Sequence, residues 1–171
     1  ATLEDHGYDV VEGSDGSEAL ELAVKHAPDA IFLEIGPGWH LGTALAFYAM
    51  GVERQVLVDV RALLRPRLSR EFAAMLARLE DDRLRRLPGL ASRHTAKGDL
   101  KHLLRPRCGN DYRAPLDARQ TKLEADSVTC ITSTFTFEHI PADELPGVLQ
   151  ECRRILSPSG AISLFIDYQD H

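Results

Sequence analysis

Cysteine, aromatic residues and long apolar runs are all scarce in this chain. Three cysteines, Cys108, Cys130 and Cys152, stand far apart with no CxxC or CxxH pair. That excludes a disulfide framework, leaves no expected metal site, and makes a reducing cytoplasm the default location. Aromatics make up 6% of residues, too few to favour a single-strand nucleic-acid binder built on stacking. The most apolar runs, such as 128–131 and 161–166, fall far short of the roughly 20 residues a membrane span needs. No basic-then-apolar leading segment points to export, so no membrane partner is expected. There is no internal repeat. What remains is ordinary for a folded domain: 171 residues, 44% apolar and 27% charged, long enough to bury a core.

The net charge of -6 is unevenly laid out. Residues 1–60 carry a balance of -9, residues 61–107 a balance of +8, and residues 108–171 a balance of -5. A basic middle block can mark a polyanion-binding face. Arginine, at 16 against 4 lysines, is also the residue that covers helix sides with its apolar stem. No aromatic interleaving accompanies the block, so the solvated-helix reading is preferred. Nucleic acid stays open as a partner without being favoured.

Apolar patterning alternates between two periods along the chain. Residues 8–12 (YDVVE) read as a strand and 17–26 as a helix capped by Ser17. Residues 30–35 (AIFLEI) and 55–60 (QVLVDV) are short and almost wholly apolar, which suits parallel strands buried on both faces. A helix is expected over 41–50 and a longer one over 69–87. Residues 88–110 are the least regular and read as a loop. Strands are expected near 111–115, 127–133 and 161–167, with a helix over 141–156 and a turn at 157–160 (SPSG). Alternating strands and helices imply an α/β fold, a mostly parallel sheet and right-handed crossovers.

In such sheets ligands bind beyond the carboxyl ends of the strands. Three strand ends here are informative. The first runs Glu34-Ile35-Gly36-Pro37-Gly38, where glycines let the backbone approach a ligand and turn into a helix. The second ends at Asp59, 21 residues after Gly38, near the spacing at which an acid meets a ribose diol in nucleotide-binding units. Leu116-Asp117-Ala118 precedes the strand ending at Ser133-Thr134, which runs into Phe137-Glu138-His139-Ile140-Pro141. Each piece alone is ordinary: a turn, a helix cap, a surface histidine. Their ordered combination is far more specific.

That combination resembles a class I S-adenosylmethionine-dependent methyltransferase over residues 30–171, about four-fifths of the chain. LEIGPG is similar to the family's first motif and VLVDV to its second. LDARQTKLEADSVTCITSTFTFEHIP resembles the third and fourth. ELPGVLQECRRILSPSGAISLFIDYQDH is similar to the following helix and strand, with Ser157-Pro158-Ser159-Gly160 at the family's "hEhxRvLkPGG" turn. The resemblance implies a Rossmann-like, doubly wound sheet of methyltransferase type that stops after its fifth strand, the family's last two being absent. An apolar edge left in that way would offer a route to self-association.

The resemblance also implies roles. Glu34 would sit near the methionine amino group, with Gly36, Pro37 and Gly38 passing close to methionine and ribose. Asp59 would accept both ribose hydroxyls and Val60 would pack on adenine. Asp117 would accept from the adenine amino group, Ala118 would offer its backbone N–H, and Ser133 would lie beside the sulfonium. A cationic sulfonium and ammonium suit an acidic pocket, and Glu34, Asp59 and Asp117 supply one. His40 stands where a dinucleotide loop would carry a third glycine, which argues against a pyrophosphate. Methyl transfer needs alignment and desolvation, and a base only for a protonated acceptor. Glu138 and His139 are the first candidates, Asp170 and His171 the second. The acceptor is expected to be a small molecule or an anion.

Residues 3–35 (LEDHGYDVVEGSDGSEALELAVKHAPDAIFLEI) resemble part of a response-regulator receiver domain instead. Residues 1–29 would then be a leading strand and helix joined, as in a chimera, to the core at 30–171. Glu34 stands where a receiver's phosphoacceptor aspartate would, so phosphorelay signalling is disfavoured. The alternative to an enzyme is a truncated or chimeric α/β module that keeps the fold without turnover.

Overall fold

The computed structural model describes residues 31–78 and 110–167. They form, in order, β1 (Ile31–Ile35), α1 (Gly42–Ala49), β2 (Arg54–Val58), α2 (Pro66–Leu76), β3 (Asn110–Arg113), β4 (Val128–Thr134), α3 (Leu145–Ile155) and β5 (Leu156–Phe165). The five strands make one sheet in the order β3-β2-β1-β4-β5, and every pairing is parallel. The chain steps outward from β1 to β3, then returns to the other side of β1 for β4. The topological switch point therefore lies between β1 and β4, where the crevice of an open α/β sheet opens.

Both faces of the sheet are covered, which explains the unbroken apolar character of its central strands. On one face Leu33, Ile35, Val56, Val58, Val128 and Ile131 pack against Val148, Leu149, Cys152 and Ile155 of α3. On the other, Leu57 and Tyr112 meet Leu41, Ala44 and Leu45 of the α1 segment and Ala73 of α2. Phe32 packs on Phe47 with ring centroids 4.8 Å apart. Each of the large apolar side chains among these, taken out of water, contributes about 1.5–3 kcal/mol before the entropy of ordering it. The one polar intruder in β2 is satisfied: the Gln55 amide donates to the carbonyls of Ala44 at 3.0 Å and Val52 at 3.4 Å. Cys130 and Cys152 are free and buried, and burial pushes both thiols up to about 12.

Several boundaries differ from the sequence reading. The helix expected at 69–87 starts at Pro66 and its described part runs to Leu76, residues 79–87 lying outside the described residues; proline presets the first helical residue, so the helix begins at it rather than at Ser69. The helix expected from 141 begins at Leu145. The SPSG segment is not a separate turn before the last strand. Leu156 already pairs with Val128, pairing resumes at Ala161 opposite Cys130, and the four residues between form a bulge. The strand and helix expected at 8–12 and 17–26, the loop at 88–110 except its last residue, Cys108, Asp170 and His171 lie outside the described residues. The receiver-like stretch does too, apart from its last five residues, which form β1.

Candidate functional site

Four loops meet at the carboxyl edge of the sheet, and hydrogen bonds tie them into one surface. After β1, the Gly36 N–H donates to Val58 O of β2 at 2.8 Å. After β2, Asp59 N donates to Arg113 O of β3 at 3.2 Å, and Leu116 N returns to Asp59 O at 2.8 Å. After β4, the Thr136 hydroxyl lies 3.3 Å from Gly36 O. The expected site residues 34–38, 59–60, 117–118 and 133 are thereby placed on adjoining strand ends.

The β1 turn is built on two left-handed glycines, Gly36 at φ +75° and Gly38 at φ +67°. Pro37 between them is buried. A side chain at Gly36 would run into Thr136, whereas nothing crowds Gly38. His40 then closes the turn. Its Nδ1 accepts the Gly42 N–H at 3.1 Å, satisfying one first-turn N–H of α1 whose N-cap Leu41 has no side-chain acceptor, and its ring stacks on Phe72 of α2 at 4.7 Å. Next to Gly38, Trp39 is half exposed and the Arg65 guanidinium lies 5.5 Å from its ring centre, a cation–π contact.

Two carboxylates are buried here, and among the described residues each leaves one oxygen without a partner. Glu34, 5% exposed, sits on β1 with Oε2 unpartnered among the described residues. Burial pushes its carboxyl up to about 7 against the opposing hydrogen bond from Thr43. Asp59 is 6% exposed. Its Oδ1 accepts the Arg61 N–H at 3.0 Å, and its Oδ2 is buried and unpartnered. Orphaned buried acceptors are costly, so such atoms point to donors supplied by something else. Val60 beside Asp59 is 66% exposed.

Asp117 is differently placed. It accepts from Arg119 N at 2.8 Å, from Nε at 3.0 Å to both oxygens, and from the guanidinium terminus at 2.6 Å. Arg119 holds its carboxyl below the ordinary range. Any further donor has to share these oxygens with Arg119. Ala118 opens the one-turn helix Ala118–Gln120 that Asp117 caps. Ser133 is buried, its hydroxyl donating to Ile35 O at 2.9 Å. Glu138 and His139 lie on a second one-turn helix, Phe137–His139. Glu138 Oε2 is buried and unpartnered among the described residues, while His139 is exposed.

Some contributors were not singled out from sequence. Thr136 and Thr43 gave no signal, since a threonine's reach depends on what the fold brings beside it. Glu151 is another. It accepts from the Thr121 N–H at 2.9 Å and hydroxyl at 2.6 Å, and from Arg154 at 2.7 and 2.8 Å, fastening the segment after Asp117 onto α3. Its signal was an acid at the margin of the apolar helix face, beside Val148, Cys152 and Ile155. Among the described residues no group of three His, Cys, Asp or Glu could hold a metal ion, and no helix is long and apolar enough to cross a membrane.

Residues 96–164 match the model of a methyltransferase domain. No curated protein matched the sequence. Among solved structures, the YcgJ protein from Bacillus subtilis is similar at 19% identity, over 86% of this chain and 50% of that one, with a TM-score of 0.53. Geranyl diphosphate C-methyltransferase from Streptomyces coelicolor A3(2), solved with Mg2+, geranyl diphosphate and S-adenosyl-L-homocysteine, is 14% identical over 86% of this chain and 44% of that one, TM-score 0.53. The PH0226 protein from Pyrococcus horikoshii OT3 is 21% identical over 87% and 55%, TM-score 0.54. The chain spans about half the length of these structures, and at such identities the likeness is one of fold. The chain has the α/β fold of the methyltransferases, and its residues 96–164 match a methyltransferase domain.

Proposed function

We propose that this chain binds S-adenosylmethionine at the carboxyl edge of its sheet and directs the methyl group to an acceptor. The observation that carries the reading is the pair of buried carboxylates, Glu34 and Asp59, each with an orphaned oxygen, on either side of a glycine turn at the switch point. The donor set fits the group. Asp59 Oδ2 would accept from the ribose diol and Glu34 Oε2 from the methionine ammonium. Gly36, Pro37 and Gly38 leave room for close backbone approach, and exposed Val60 offers an apolar rest for adenine. Asp117 and Ala118 would border the base, and Ser133 the sulfur. When bound, the sulfonium supplies a methyl group that leaves as the acceptor's nucleophile bonds to it in line, sulfur keeping the electron pair of the broken bond. The protein's share is alignment and exclusion of water. For an acceptor that carries a proton on its nucleophile, Glu138 or His139, directly after β4, would take it.

Calorimetric titration of the chain with S-adenosylhomocysteine, beside Asp59→Ala, tests this. Saturable binding is expected, weakened at least tenfold in the variant, because a hydrogen bond to a charged partner is worth about 1.5–3 kcal/mol. No binding by a cooperatively folded protein would overturn the reading and leave the motifs as scaffold.

A further inference from the structure

We propose that Phe135 and Phe165 form the acceptor-selecting corner of this site, and that the acceptor is an uncharged molecule with a flat apolar body. This rests on the methyl-transfer reading and narrows it. The two rings stand at the carboxyl ends of β4 and β5, linked by Phe135 N–H donating to Phe165 O at 2.9 Å. Their centroids are 4.8 Å apart and their planes 80° from parallel. Packing does not explain them, since they remain 51% and 43% exposed.

The backbone beneath Phe135 sharpens the point. It lies at φ +52°, the left-handed region, which costs a residue with a Cβ about 1–2 kcal/mol. Glycine or asparagine would serve the turn better, and a half-exposed ring returns little core stability. Strain of this kind gathers at ligand sites. Its place fits: the next residue, Thr136, reaches Gly36 O, so the aromatic corner begins one residue from the glycine turn.

Charge decides between the acceptor classes left open by the sequence. No Arg or Lys occurs in residues 128–142 or 156–167, whose acids are Glu138 and Asp167 and whose one histidine is His139. The exposed arginines Arg61, Arg65 and Arg67 follow β2 instead, across the switch point. An anion at the Phe135–Phe165 corner would meet Glu138 and Asp167 from these segments and, of basic side chains, only His139.

The test loads the chain with S-adenosylhomocysteine and titrates 2-naphthol and its charged counterpart 2-naphthalenesulfonate by calorimetry. The same is done for Phe135→Asn, which suits the left-handed backbone, and for Phe165→Ala. The expected result is 2-naphthol binding at least tenfold tighter than the sulfonate. Each variant should weaken 2-naphthol about tenfold, in line with the apolar area a buried aromatic contact removes from water, and leave S-adenosylhomocysteine within twofold. Absent 2-naphthol binding, binding that neither variant changes, or a preference for the sulfonate would overturn the proposal. If S-adenosylhomocysteine itself fails to bind, the cofactor reading falls. The same titrations without it then judge the corner alone: losses in both variants uphold it as a binding surface, and unchanged or absent binding overturns it.

Discussion

Removing the Glu151 carboxylate should weaken both the fold and the cofactor site, by amounts that can be worked from its partners. Thr121 is fully buried, and its N–H and O–H both donate to Glu151 Oε1, at 2.9 and 2.6 Å. In Glu151→Ala both donors lose their acceptor. A buried unsatisfied group costs about 1–3 kcal/mol, and the hydroxyl can swing to a weaker partner, so the expected loss is about 2–4 kcal/mol. Arg154 is half exposed and keeps the Leu123 carbonyl at 2.7 Å; water replaces the rest, as at surface pairs. Glu151→Gln keeps an oxygen for Thr121 but turns an amide NH2 toward Arg154, and should cost about half as much. Urea unfolding measures both, and the alanine variant should melt roughly 5–15 °C lower. Arg154, and then Thr121, hold the Glu151 carboxyl below its ordinary 4.5. Its contribution is thus complete above that value and lost as pH falls through the lowered one, so the alanine variant should show a shallower acid loss. Thr121 also ends the turn that carries Asp117 and Ala118, so S-adenosylhomocysteine should bind more weakly. A loss under about 1 kcal/mol in Glu151→Ala, less than one orphaned donor should cost, would refute the argument. Equal losses in the alanine and glutamine variants would assign the effect to packing instead.

The two turn glycines should separate cleanly. Gly36→Ala combines φ +75° with a collision against Thr136 and should cost about 2 kcal/mol or more, whereas Gly38→Ala carries only the strain of its backbone, about 1 kcal/mol. Adding Thr136→Ala should recover part of the first loss and none of the second, read by urea midpoints. Glu34, pushed by burial from 4.5 to about 7, binds a proton more readily folded than unfolded. Stability should therefore fall as pH rises from 4.5 to 7, by up to about 3 kcal/mol, and Glu34→Gln should flatten that slope. A cationic ammonium beside Glu34 favours its charged form, so S-adenosylhomocysteine affinity should rise across pH 6–8 in the parent chain and stay level in Glu34→Gln. A level profile in both would place the ammonium elsewhere.

The alternation of apolar runs with amphipathic stretches was enough to specify strands, helices and a parallel sheet. That information is local, carried by which residues can sit on a doubly buried strand or one helix face. The glycine turn after β1 and the acid after β2 were legible for the same reason, because a strand end, a φ-permissive residue and a fixed spacing are all properties of one segment. The SPSG bulge was misplaced because it depends on β4's register, whereas the helix start at Pro66 was a local signal, proline at a first helical position, that the apolar pattern outweighed. Nothing in the sequence could show that Arg119 takes the Asp117 oxygens, that Thr136 fills the space above Gly36, or that Glu151 holds Thr121 from thirty positions away. Nor could it show that Phe135 sits in a left-handed turn against Phe165. Composition and period set the layers, because burial is decided residue by residue. The order β3-β2-β1-β4-β5 decided which strand ends meet, and with them which carboxylates lie buried with an oxygen left over.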